Sequence, residues 1–175
     1  MVTGAPRDAS VSPGVVPAGD GDPGLVWSIK ASFVEYIERM SDGVVTLSDG
    51  ATRRPDGAFH FPLDRTSSTD RDVAFRGSVL FTGHFGMLVV AFTRPAIVRR
   101  EGRLHLCVRE DEVTDGHLDV LVLGDARSSA GGLVFSQPQL TSNGADIFFD
   151  KYRPGTAFDP VLVLGSPLDA GAVPS

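Results

Sequence analysis

Two tyrosines, four histidines and a single cysteine carry most of what this 175-residue chain can do chemically. Phenols and imidazoles serve as general acids and bases when they meet in a cleft, so their settings matter. Tyr36 falls on the apolar side of a helical pattern, His84 sits between glycines in Gly83-His84-Phe85-Gly86, and Tyr152 follows Phe148 and Phe149 and precedes Arg153-Pro154-Gly155. From residue type alone, Tyr36 reads as an amphipathic core residue with its hydroxyl on a backbone carbonyl, and His84 as an exposed turn residue. His60, His105 and His117 alternate with apolar residues in strand-like runs and are expected to face solvent. Asp111, Glu112 and Asp115 form an acidic loop without calcium-loop spacing. The chain has no phosphate-cradling glycine loop, dinucleotide fingerprint, nucleophile elbow, zinc motif or Cys-x-x-Cys-His haem attachment. Cys107, in Leu104-His105-Leu106-Cys107-Val108, cannot close an internal disulfide and is expected as a small core residue.

The elements that must hold these residues are short. Apolar runs alternate with turn dipeptides, the pattern of antiparallel strands with one buried face. Val44-Val45-Thr46-Leu47 ends at Ser48-Asp49-Gly50, and Pro55-Asp56-Gly57 opens Ala58-Phe59-His60-Phe61-Pro62-Leu63, with Phe59, Phe61 and Leu63 on one face. Residues 73–82 read as one long strand with Val73, Phe75, Val79 and Phe81 in phase, turning at the His84 segment into residues 87–92 as a hairpin. Residues 96–99 and 103–108 flank Arg100-Glu101-Gly102 as a second hairpin. Further strands are expected at 117–123, 133–136 and 161–164. After the strand-like residues 24–30, Ser32 and Glu35 have capping-box spacing, and Phe33, Tyr36, Ile37 and Met40 share one helical face. A second short helix is expected from Thr141-Ser142-Asn143 to Phe149, with Gly144 as its weak point. The expected fold is therefore all-β: two antiparallel sheets packed as a sandwich or partly open barrel, with two short helices.

Composition narrows the classes. Gly (20) and Pro (12) make up nearly a fifth of the chain, which disfavours a helical bundle. A net charge of -6 and a pI near 5.1 argue against nucleic acid or an acidic membrane surface as partner. Residues 1–23 and 166–175, rich in Pro, Gly and Ala, read as flexible tails around an ordered region at 24–165. Neither end has a signal peptide, an apolar anchor or a lipidation cysteine, which points to a cytoplasmic location.

Four segments together match a known pattern: Leu25-Val26-Trp27-Ser28-Ile29-Lys30-Ala31-Ser32-Phe33 with Tyr36-Ile37; Ser48-Asp49-Gly50-Ala51-Thr52; Phe75-Arg76-Gly77-Ser78-Val79 with Phe81-Thr82-Gly83-His84; and Gly144-Ala145 through Phe148, Tyr152, Gly155-Thr156 and Asp159-Pro160. In order and spacing the sequence resembles the HtaA domain, the haem-binding module of actinobacterial haem-uptake proteins. The resemblance implies a mainly β domain that binds ferric haem b through a tyrosine phenolate, here Tyr36. His84 would support that ligand, and Phe148, with Tyr152 beside it, would lie against the porphyrin. It also implies haem and other haem-handling proteins as partners, and homo-oligomers are compatible with it. Family members are usually exported. Phe85 stands where a small or acidic residue is expected, and Phe149-Asp150-Lys151 replaces a glycine-rich stretch.

The implied chemistry is coherent. A phenolate is a hard anion suited to Fe(III), and a phenol that ordinarily ionises near pH of about 10 is helped by a hydrogen-bond donor on its oxygen. Two functions follow: a carrier that stores, buffers or transfers haem, or an intracellular enzyme using haem or an apolar small molecule in the same pocket, with Tyr36 and His84 as its acid/base pair.

Overall fold

The computed structural model describes residues 21–110, 116–129 and 131–165. The acidic loop at 111–115 and the expected tails up to residue 20 and from 166 onward lie outside the described residues. The strands, in chain order, are β1 (Gly24–Trp27), β2 (Val44–Ser48), β3 (Thr52–Arg53), β4 (Phe59–Asp64), β5 (Asp72–Phe75), β6 (Ser78–Gly83) and β7 (Leu88–Thr93). They continue as β8 (Ala96–Arg100), β9 (Arg103–Arg109), β10 (His117–Val122), β11 (Ala126–Ser129), β12 (Gly132–Phe135), β13 (Gln139–Leu140) and β14 (Val161–Leu164). Helix α1 (Ala31–Arg39) follows β1, and α2 (Ser142–Ile147) follows β13.

Among the described residues the pairings are antiparallel and make two sheets, neither closed into a barrel. The larger runs β11-β12-β14-β1-β4-β5-β8-β9-β10-β13, with β3 added on β4, and the smaller runs β2-β6-β7. The core lies between them, built on aromatic edges: Trp27 meets Phe92 at 5.2 Å between ring centroids, and Phe81 meets Phe59 at 5.9 Å. Trp27, Phe59, Phe75, Val79 and Phe81, expected inside from their strand phase, are all buried. Edge-to-face pairs of this kind add about 0.5–1.5 kcal/mol each beyond the area they bury.

The run at 73–82 is two strands, not one. Gly77, with φ of 109°, turns the chain out of the large sheet, where β5 pairs with β4 and β8, into the small sheet, where β6 pairs with β2 and β7. Phase alone concealed this, because Phe75 and Phe81 reach one core from opposite sheets. The β8–β9 hairpin turns as expected, through Glu101 and Gly102, both with positive φ.

Exposure fails for His60, which is 1% exposed. The far face of β4 carries a small apolar cluster of Val26, Ala58 and Leu164, and the chain at Asp22 closes over it, so His60 Nε2–H donates to the Asp22 carbonyl at 3.1 Å. Burial lowers the pKa of His60, with the bond to Asp22 opposing. Pro23 likewise accepts from the Leu63 amide at 3.1 Å. His105 is half-buried beside Asp119, whereas His117 is exposed as expected. Cys107 is buried and donates to Asp119 Oδ1 at 3.1 Å, and burial pushes its thiol pKa far up.

Candidate ligand-binding site

Helix α1 presents the first site residue. Phe33, Val34 and Ile37 bury its inner face, which leaves Tyr36 on the shoulder of that face, half-buried. The expected capping box is absent. Lys30 occupies the cap position without a side-chain bond, and Asp159 Oδ2 accepts from the Ala31 amide at 2.9 Å in its place. Ser32 is thereby free to hydrogen-bond the Tyr152 hydroxyl at 2.8 Å. Beyond the helix, Gly43 lets β2 begin at once: a Cβ there would lie 1.8 Å from the Ile37 carbonyl oxygen.

His84 comes from the turn between β6 and β7, a single 3₁₀ turn of His84–Gly86. His84 and Phe85 take left-handed conformations at φ 49° and 56°, unusual for two adjacent non-glycine residues. The Asp42 carboxylate, just past α1, accepts from the Phe85 amide and so ties the turn to the helix. The result brings the Tyr36 hydroxyl and His84 Nε2 to 2.7 Å, although the residues are 48 apart in the chain.

The facing wall comes from α2. Thr141 caps this helix, its Oγ1 accepting from the Gly144 amide at 2.9 Å while its hydroxyl donates to the Asp119 carbonyl at 2.6 Å. Gly144 is needed because a Cβ would sit 2.5 Å from the Val120 carbonyl oxygen. Just after the helix, Phe148 is buried edge-on against Phe33, at 5.1 Å between centroids. Phe149 and Asp150 then form a second left-handed pair, at φ 54° and 57°, which brings Lys151 back over the site. Its Nζ stands 3.6 Å from the centre of the Tyr36 ring.

These walls enclose an open cleft of about 430 Å³, within the range of small-molecule sites. Phe33, Phe148, Leu88 and Met87 line it with apolar surface, and Tyr36, His84 and Lys151 supply its polar groups. In the lining Met87 is 86% exposed and Phe149 63%, and Phe85, next to His84 in the chain, is 91% exposed, an apolar display that a structural role alone does not require. Of the residues singled out in the sequence, Tyr36, His84 and Phe148 converge on this cleft. Tyr152 does not line it. Its ring backs Phe148 at 5.4 Å and its hydroxyl is engaged with Ser32. Met87, Leu88 and Lys151 escaped the sequence reading as site residues. Adjacency to the glycine-bounded turn points to the first two, and no pattern points to Lys151. Among the described residues there is no group of three or more His, Cys, Asp or Glu able to hold a metal, and no helix long and apolar enough to cross a membrane.

A two-sheet β domain that sets a helix-borne tyrosine against a turn histidine at the mouth of an aromatic cleft has room there for a small apolar ligand. The HtaA family model matches residues 22–163, and the chain belongs to that family. Similar solved structures come from Corynebacterium glutamicum. The C-terminal domain of HtaA is 28% identical, with a TM-score of 0.59 over 81% of this chain and 95% of that one. The N-terminal domain of HtaA is 24% identical, with a TM-score of 0.61 over 86% and 100%. The heme binding protein HtaB is 18% identical, with a TM-score of 0.61 over 80% and 90%. No curated protein matches the sequence.

Proposed function

We propose that the protein binds ferric haem b in the Tyr36 cleft and stores, buffers or hands it to other haem-handling proteins. The carrying observation is the 2.7 Å contact of Tyr36 with His84 at the mouth of a cleft whose remaining lining is mainly apolar. Family membership supports the reading, as does the name of HtaB, which shares the fold.

The donor set fits the group. Haem, when bound, supplies a ferric centre whose hardness matches an anionic phenolate oxygen, a match lost in the ferrous state. Tyr36 would hold it. His84 serves that oxygen in both of its states: a neutral phenol donates its hydroxyl to Nε2, and a phenolate accepts the Nε2–H in return. The proton therefore has a defined place to go when the ligand oxygen ionises. Phe33 and Phe148 give a flat macrocycle apolar contact.

Titration of the purified protein with hemin, followed by absorption, tests the reading. A one-to-one complex with a high-spin ferric, tyrosinate-type spectrum is expected, and Tyr36→Phe should abolish that spectrum while the fold persists. Failure of the wild type to bind hemin overturns the proposal.

A further inference from the structure

We propose that Lys151 is the counter-ion for a carboxylate at the edge of the ligand, so that the cleft selects an acid-bearing macrocycle over the same macrocycle with its acids esterified. The proposal rests on the haem reading above and extends it from the iron to the periphery.

Among the described residues, Lys151 is the one lysine or arginine lining the cleft. Its position is imposed by the backbone: the left-handed pair Phe149 and Asp150, a conformation that L side chains rarely adopt, directs the following side chain inward. Among the described residues no carboxylate pairs with its ammonium, which rests on the face of the Tyr36 ring. Near the surface such a contact is weaker than a charge-assisted hydrogen bond to a carboxylate. An acidic group arriving at the mouth therefore outcompetes the ring for the ammonium, and the flexible lysine stem needs only a rotamer change to reach it. A chain of net charge -6 otherwise repels an anionic ligand, and a single ammonium at the mouth offsets that repulsion where it counts.

The test compares hemin with hemin dimethyl ester on wild type, Lys151→Gln, Lys151→Arg and Lys151→Glu, at low salt and equal trace detergent, with circular dichroism checking each fold. Wild type should prefer hemin by about threefold to tenfold, the range expected of a partly exposed charge pair. Lys151→Gln should lose that preference by weakening hemin alone, Lys151→Arg should keep it, and Lys151→Glu should reverse it. Equal weakening of both ligands in Lys151→Gln would assign the lysine to the Tyr36 ring and overturn the proposal, as would no change in either. Wild type that takes up neither ligand would instead overturn the haem reading itself.

Discussion

Ser32 and Tyr152 join hydroxyl to hydroxyl at 2.8 Å across 120 residues of chain, fastening the first turn of α1 to the segment that backs Phe148. The two walls of the cleft are therefore linked by a side-chain bond outside the cleft. Removing either partner should cost about 0.5–1 kcal/mol, and Ser32→Ala with Tyr152→Phe together should cost little more than one alone. Thermal unfolding of the two single variants and the double variant measures this coupling. Full additivity would mean that the hydroxyls stabilise their own segments independently.

Phe85 is nearly fully exposed and left-handed, so a glycine there loses almost no packing and removes the conformational cost. Phe85→Gly should stabilise the protein by about 0.5–1 kcal/mol in denaturant melts while lowering hemin affinity. A stabilised variant with undiminished affinity would show that the exposed ring has no part in ligand contact.

The two hairpins, the two helices and the core-facing side of strands such as β4 and β6 were legible because period and turn chemistry are local, whereas the short strands β3, β11 and β13 were not expected. Gly77 was not, since strands from two sheets facing one core keep the same phase through a change of sheet. The burial of His60 also escaped, because alternation assumes that one face of a strand meets water, and here the chain at Asp22 covers it. Tyr36 and His84 were legible as a pair only through the family pattern. Nothing local announces that an α1 residue and a turn residue will meet, nor that a strained backbone will lay Lys151 over the same ring.

Acid stability should depend on Asp64. Hydrogen bonds from Thr66, foremost its hydroxyl at 2.6 Å, and then from Ser67 outweigh burial and hold this carboxyl at about 2, below its ordinary 3.8. A depressed folded-state pKa adds stability above pH 3.8 that disappears as pH falls toward 2, here about 2 kcal/mol at most. Asp64→Asn should therefore trail wild type at pH 7, with the gap closing between pH of about 4 and 2 in denaturant melts. Neutral His60 adds stability that is lost over a higher range, as pH falls below 6.5 toward its lowered folded value, and it cancels in the difference between the two proteins. A gap constant with pH would mean that the charge of Asp64 contributes nothing.

His84→Ala and Tyr36→Phe distinguish His84 as the partner of the ligand from His84 as the ligand itself. A donor to an iron-bound Tyr36 oxygen acts through that oxygen, and loss of such an outer partner typically costs about tenfold to a hundredfold in metal affinity. His84→Ala should then keep the tyrosinate spectrum with hemin affinity reduced by about that factor, and part of the loss should return as pH rises, because hydroxide replaces the missing proton acceptor. Loss of hemin on reduction should persist, because it follows from the mismatch of phenolate with ferrous iron and not from the imidazole. Tyr36→Phe should lose both the spectrum and more affinity than His84→Ala. An altered spectrum in His84→Ala together with an unchanged one in Tyr36→Phe would reverse the roles, making His84 the axial ligand and the 2.7 Å contact a support for the histidine.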